Sequence, residues 1–416
     1  MRILLLAQLY PPVIGGEERH VRNLAVALAG RGHDVHVATL DARLDSGAGA
    51  PQRDPGVSVH LLDHVGRRAP RLYPTADRPL AVPVPDPWTT RDLARLVRRL
   101  EPDVVHAHNW IVASYAVLPV ARRLPLVLSL HDYSHVCATK RLMYDGEPCS
   151  GPGLRKCFSC AADHYGPGRG QLVAGAVRAG VPVRNRVVDV FTPVSRYVGT
   201  ANRLQEQGAR WEVVPNFVPD ELVSLPEPPR DEALPRAPYV FFAGDLSAQK
   251  GVRTLVEAWR RLPDDQAGAR PELVLVGRPA EPLGELPAGV HVHHHWDHDR
   301  VLSGFGHASA VALPSEWPDP CPTTVLEAMA LGAPLVTTDR GGIADMVVPG
   351  ESALVVPPGD AGALAVALGD LHSDPARARG LAARGRVEVR RFLQSSVAAQ
   401  LEGVYQGLRE GPSRAV

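Results

Sequence analysis

Two carboxylates, Asp319 and Glu327, flank a helix start in the segment Pro314-Ser-Glu-Trp-Pro-Asp-Pro-Cys-Pro-Thr-Thr-Val-Leu-Glu-Ala-Met-Ala330, with seven residues between them. Carboxylates accept hydrogen bonds and can hold sugar hydroxyls. A helix N-terminus offers unpaired N–H groups and the positive end of a dipole, which suits a phosphate. Cys321, Pro322, Thr323, Thr324 and Val325 supply that backbone. The combination fits a sugar linked to a phosphate. Glu327 also has a purely local explanation, because Thr324-Val325-Leu326-Glu327 carries the spacing of a capping box. That explanation leaves Asp319 and the Pro-rich approach without a purpose.

Two glycine loops extend the pattern. Gly15-Gly16 lies between an apolar run and a helical pattern, where a bare backbone can approach a ligand. Gly244-Asp-Leu-Ser-Ala-Gln-Lys250-Gly251 repeats that arrangement later in the chain. Lys250 there is a compact positive charge suited to a diphosphate; the alternative is a solvated loop lysine. His106-Ala-His108-Asn109-Trp110 ends one expected strand and His131-Asp132 ends the next. Polar groups at strand C-termini face ligands in open α/β sheets.

Cys137, Cys149, Cys157 and Cys160 are separated by eleven, seven and two residues, and Cys321 stands apart. A C-x2-C pair in such a cluster favours a metal over disulfides, so a structural zinc pinning the loop from Lys140 to Gly170 is expected. Reduced thiols or a redox pair are the alternatives. His291-Val-His-His-His295 is read as no metal site, because strand alternation divides it between two faces.

These residues need a scaffold. The 416-residue chain is long enough for two domains, with 45% hydrophobic and 22% charged residues. A formal net charge of zero argues against a nucleic-acid partner. No apolar run reaches the ~20 residues of a membrane span, so a cytoplasmic location is expected. Arg95, Arg98 and Arg99 share one predicted helix; a solvated face is the reading, with peripheral contact to an anionic bilayer as the alternative.

Buried-strand runs at Ile3–Ala7, Val35–Thr39, Val57–Leu62, Val104–Ala107, Leu126–Leu130 and Val188–Thr192 alternate with helical patterns. The alternation restarts after Pro-rich Leu225–Pro238, with strands at Tyr239–Ala243, Leu273–Val276, Val290–His294, Ala310–Leu313 and Pro334–Thr337. Two Rossmann-like, doubly wound α/β domains facing a central cleft are predicted. Residues 1–195 form the first and 196–394 the second, with a C-terminal helix over 395–416 returning to the first.

Together the motifs resemble the large retaining glycosyltransferase family four (glycosyl transferases group one), of the GT-B type. Tyr10-Pro-Pro with Gly15-Gly16 and His20, Pro102-Asp-Val-Val-His-Ala-His108, Val214-Pro-Asn216, Lys250-Gly251 and Glu327-Ala-Met-Ala carry the resemblance, which covers nearly the whole chain. It implies transfer from a nucleoside diphosphate sugar, UDP- or GDP-linked, to a hydroxyl acceptor, with retention and without a catalytic metal or cofactor. It assigns catalysis to His131, Asp319 and Glu327. Gly15, Gly16, Gly244, Lys250, Asp319, Glu327 and the stretch Cys321, Pro322, Thr323, Thr324, Val325 bind the donor. His108, Asn109, Trp110 and Asp132 face the acceptor.

Two departures stand out. The first of the family's paired glutamates is Asp319 here, and Asp245 replaces an arginine beside the diphosphate. An acid beside a diphosphate is unfavourable unless it turns away or pairs with a cation, so Asp245 is expected to point off the phosphates, with Arg340 or another second-domain arginine supplying the missing positive charge. A non-catalytic sugar-nucleotide-binding subunit and an epimerase share the fold and are the alternatives.

Overall fold

The computed structural model describes residues 1–13, 15–42, 52–69, 81–224, 228–262 and 270–410. Ile14 of the first glycine loop, residues 225–227 of the Pro-rich segment and the last six residues of the expected C-terminal helix lie outside this set. The chain divides into two compact units, Met1–Pro215 with Val397–Val416, and Asn216–Ser396.

The first unit is built on β1 (Arg2–Ala7), β2 (Asp34–Leu40), β3 (Val57–Leu62), β4 (Val104–His108), β5 (Leu126–Leu130) and β8 (Val190–Pro193). These pair in the order β3-β2-β1-β4-β5-β8, all parallel. Ile3 to Ala7 are fully buried, as expected when helices cover both faces of a parallel sheet. A two-stranded hairpin, β6 (Met143–Tyr144) with β7 (Glu147–Pro148), interrupts the crossover from β5 to β8.

The second unit repeats the plan with β9 (Tyr239–Ala243), β10 (Glu272–Val276), β11 (Val290–His293), β12 (Ala310–Leu313), β13 (Leu335–Thr337) and β14 (Leu354–Val355). The order is β11-β10-β9-β12-β13-β14, again parallel. Both orders reverse direction at the first strand of the unit, which leaves a crevice at the strand C-termini.

Several expectations need correction. The first unit runs to Pro215 rather than residue 195. Contacts beyond residue 195 explain this: Phe191 and Trp211 form a parallel bridge, and the Asn202 side-chain Nδ2 donates to the Asp132 carbonyl. β14 is a two-residue strand, too short to show a pattern. The expected loop from Lys140 to Gly170 contains the hairpin and a helix, Leu154–Tyr165, followed by a second helix, Arg169–Val187. The final helix runs Gln394–Glu410. Its Tyr405 hydroxyl lies 2.6 Å from His106 Nδ1, and its Arg409 pairs with Asp103 at 3.3 Å, both within the first unit. Arg95, Arg98 and Arg99 lie on the exposed side of helix Pro87–Leu100, as a solvated face requires.

Candidate functional site

In the second unit, the C-terminal ends of β9 and β12 open into a cavity of about 240 Å³. Gly244, Asp245, Lys250, Ser315, Asp319, Pro322, Thr323, Thr324 and Val325 line it. Lys250 and Asp319 form a close ion pair, and Lys250 Nζ lies 5.1 Å from the Trp317 ring centroid.

The backbone explains why these two loops meet. Gly251 has φ +75°, and a Cβ there would lie 1.9 Å from the Pro314 carbonyl oxygen. Only glycine lets the Lys250 turn pack on the end of β12. The Glu316 and Trp317 amides donate to the Gln249 carbonyl at 3.0 and 2.9 Å, tying the Pro-rich loop to that turn. Gly341, at φ +64°, passes the Asp319 backbone where a side chain would clash, and the Gly342 amide donates to the Asp319 carbonyl at 2.7 Å.

Helix Thr323–Ala330 begins after Pro322, which has no side chain able to cap it. Its first N–H groups therefore face the cavity without a side-chain acceptor. The expected capping box from Thr324 to Glu327 is not formed, because the N-cap is Pro322, two residues before Thr324, which places Glu327 beyond the N3 position. Glu327 is buried with its carboxylate 3.7 Å from His298 Nε2. Cys321 contributes backbone only: its carbonyl accepts from the Asn216 amide at 2.8 Å, and burial pushes its thiol up to about 12.

Asp245 lines the cavity, yet its charge is matched. Arg278 Nε and Nη2 donate to its two oxygens at 2.9 and 3.0 Å. Asp245 therefore does not point away from the cavity as expected; Arg278, just after β10, is its paired cation.

In the first unit, the ends of β1, β4 and β5 gather a column of imidazoles. His108 Nδ1 lies 2.9 Å from His131 Nε2, the His20 and His131 rings are 4.7 Å apart, and His106 stacks on His108 at 4.5 Å. Burial drives His20 and His108 well below the usual imidazole range and takes His106 to about 3. His20, His106 and His108 are thus neutral. His108 Nε2 is buried without a partner among the described residues. A buried N–H left unpaired is rarer than an unpaired acceptor. His108 therefore carries its proton on Nδ1 and donates it to His131 Nε2, which orients the His131 ring. His106 is committed to the core, between Tyr405 and the Ser129 hydroxyl at 2.8 Å.

Gly15 precedes helix Gly16–Gly30 with no side-chain cap, and a Cβ on Gly16 would meet nothing within 4 Å. Asn109 adopts φ +59° and donates to the Glu17 carboxyl. Trp110 is buried, its indole donating to the Ser134 carbonyl at 2.9 Å, and the Lys140 ammonium sits 4.2 Å above its ring. The Asp132 carboxylate accepts from the Ser134 amide at 2.8 Å. Glu17 and Lys140 escaped the sequence reading. Burial pushes the Glu17 carboxyl up to about 8, with Lys140 and the Asn109 bond pulling the other way. An acid in the first turn of a helix looks ordinary in sequence; only the packing above it makes it unusual.

Residues 14–222 match the family profile Glycosyltransferase Family 4, and residues 237–374 match Glycosyl transferases group 1. The chain belongs to glycosyltransferase family 4. This glycosyltransferase is 29% identical to a glycogen synthase of Mycobacterium tuberculosis over 99% of its own length and 96% of the relative's. It is 27% identical to a D-inositol 3-phosphate glycosyltransferase of Xylanimonas cellulosilytica, covering 96% and 94%. Its fold matches sucrose-phosphate synthase from Thermosynechococcus elongatus with TM-score 0.69 at 20% identity, over 98% of both chains. HepE of Anabaena, solved with UDP-glucose, matches with TM-score 0.66 at 18% identity, over 98% and 100%. The two parallel-sheet units are those of GT-B glycosyltransferases, and the protein is an enzyme. Among the described residues, no helix is long and apolar enough to cross a membrane.

Proposed function

We propose that this glycosyltransferase moves a hexose from a UDP- or GDP-sugar to a hydroxyl of a saccharide or secondary metabolite, with retention at the anomeric carbon. The observation that carries the donor reading is the second-unit cavity, where a cation, a carboxylate and an uncapped helix N-terminus converge. Diphosphate oxygens meet Lys250 and the amides of Thr323 and Thr324, while Gly16 and Gly244 leave room for the backbone to approach. Asp319 accepts from sugar hydroxyls and Glu327 from the ribose. Asp245 faces the ligand already neutralised by Arg278, so the missing family arginine does not oppose an anion. That pairing supports catalysis over a non-catalytic binding role.

His131, held by His108, lies beside the reacting sugar. Asn109, Trp110 and Asp132 shape the acceptor side together with Lys140. In the step itself the C1–oxygen bond to the leaving diphosphate breaks and the acceptor oxygen bonds C1 from the same face. The departing phosphate oxygen takes the acceptor proton, so no metal is needed for that transfer. UDP is the favoured base because HepE is described with UDP-glucose. The name of one relative, a D-inositol 3-phosphate glycosyltransferase, supports a small hydroxyl acceptor. We place the enzyme in the cytoplasm, where nucleotide sugars are made.

Calorimetric titration with UDP, GDP, ADP and dTDP, without added metal, tests the donor half. Selective binding of UDP or GDP is expected, followed by transfer from the matching sugar. Binding of none of the four would overturn the donor reading.

A further inference from the structure

A second cavity, of about 300 Å³, lies in the first unit and takes no part in the chemistry above. Helices Leu154–Tyr165 and Arg169–Val187 form two of its walls, and loops before and after them close it. Val136, Leu154, Phe158, Ala174, Val181 and Pro182 make the lining largely apolar. Leu154 is also 55% exposed, so the mouth is open and apolar too. Pro182 interrupts the hydrogen bonding of its helix at the wall, because it has no N–H for the carbonyl one turn back. An apolar cavity of roughly 150 Å³ holds benzene, so this one takes a chain or ring body about twice that size. Cys157 lines it as well. The four cysteines expected to hold zinc are free, and among the described residues no three His, Cys, Asp or Glu side chains gather as a metal-holding group.

The charge around the cavity has one sign. Arg178 and Arg203 line it, and among the described residues no acid does. The Arg178 side chain has no hydrogen-bond or ion-pair partner among the described residues. Arg203 pairs loosely, its Nη1 3.6 Å from a Glu206 carboxylate that is 68% exposed. A Cβ on Gly151 would lie 2.8 Å from Arg203 Nη2, which places that guanidinium next to Pro152 and Gly153 of the lining. Gln207 is committed elsewhere: its Oε1 accepts from His135 and Asn185 at 3.0 and 2.7 Å, and its Nε2 donates to the Asn202 carbonyl at 2.8 Å. Through His135 it leads to Arg184, a buried cation that donates to His135 Nδ1 at 3.2 Å and to the His135 and Val177 carbonyls at 2.7 and 3.1 Å. All of those acceptors are neutral, since burial and Arg184 hold the His135 imidazole at about 3. The charged groups left for a ligand are the two lining arginines. Guanidinium groups hold a phosphate or carboxylate through paired N–H donors, and the apolar walls exclude a ligand that is polar throughout.

We propose that this cavity binds a single anionic amphiphile, an apolar chain or ring body carrying a phosphate or carboxylate head, with Arg178 and Arg203 on the head and the apolar walls around the body. A recess enclosed by helices and loops takes one molecule, whereas a bilayer surface does not enter it. Ala138 and Ala174 of the lining belong to the buried cluster that contains Trp110, and Phe158 packs against that cluster. An occupant therefore touches side chains that pack with Trp110, which the proposed function puts on the acceptor side. Binding itself needs only this unit and is independent of the donor reading, whose cavity is formed by the other unit.

Calorimetric titration of the full chain with decyl phosphate, decanoate, decanol and inorganic phosphate, each below micelle formation, tests this. Decyl phosphate or decanoate should bind saturably and about tenfold or more tightly than decanol or phosphate, because only a molecule with both halves uses both features. Either result supports the site, and the tighter of the two names the head. Arg178 is exposed, so Arg178→Ala should fold normally and weaken the binding about tenfold. Val181→Trp should fill the cavity and abolish it; should that variant not fold, Arg178→Ala decides alone. UDP titration of Arg178→Ala should match wild type, which separates failure of this inference from failure of the donor reading. Equal affinity for decanol and decyl phosphate, binding unchanged in Arg178→Ala, absence of saturable binding, or association only with phosphatidylglycerol vesicles would each overturn the proposal.

Discussion

Replacing Lys250 with alanine separates two roles that the structure superimposes on one ammonium group. In the free protein it neutralises Asp319, whose side chain is only 8% exposed against 26% for Lys250. In the proposed complex it also faces the diphosphate. Removing it deletes a charge-assisted contact worth ~1–3 kcal/mol, so the UDP dissociation constant should rise about 5- to 150-fold. It also strands a buried carboxylate, which should cost stability on the order of 1–3 kcal/mol. Lys250→Ala combined with Asp319→Asn removes the stranded charge. The double variant should recover most of the stability in urea unfolding and little of the UDP affinity in calorimetry. Because the two residues touch, their effects should not add, and the cycle measures the coupling. If Lys250→Ala loses stability but binds UDP within twofold of wild type, Lys250 is only the counter-ion of Asp319 and the cavity does not read a diphosphate through it.

Glu17 gives a pH signature. Its carboxyl titrates at about 8 in the fold against an ordinary 4.5, so the folded state holds a proton that the unfolded chain has lost. Stability from this group is complete below 4.5 and declines as pH rises towards 8. The loss is on the order of a few kcal/mol, and Glu17→Gln should flatten unfolding free energy across that window; an unchanged pH profile refutes the assignment. Arg278→Ala should expose the Asp245 charge to the donor and weaken UDP binding several-fold, and adding Asp245→Asn should restore it. Failure of that rescue would show that Asp245 does not face the diphosphate. With no capping box to break, Glu327→Ala should weaken donor binding more than it lowers the melting temperature; the reverse pattern in paired calorimetry and thermal scans would return Glu327 to a structural role. His131→Ala should cut turnover more than donor affinity, whereas equal losses in kcat and binding would make it a plain contact.

The buried parallel strands were legible in sequence because helices cover both faces, leaving continuous Val/Leu runs such as Ile3–Ala7 and Tyr239–Ala243. The loops that line the second-unit cavity were legible because glycine, proline and a lone lysine at strand ends restrict the backbone wherever they occur. Short or strained pieces carried no such signal: β14 and the β6–β7 hairpin are two-residue strands, and the Leu154–Tyr165 helix hides among cysteines and basic residues.

Sequence by itself determined the α/β class, the two-unit plan and the family, because periodicity and local backbone chemistry survive without knowledge of neighbours. Tertiary structure alone decided the pairings. Arg278 answers Asp245, Lys250 answers Asp319, His108 meets His131, and Pro322 rather than Thr324 is the cap position of the helix that carries Glu327. Charge partners and proton positions depend on which side chains share a low-dielectric space. Residues 33 and 69 apart in the chain, as in the two ion pairs beside the cavity, come together only when β9, β10 and β12 are laid side by side.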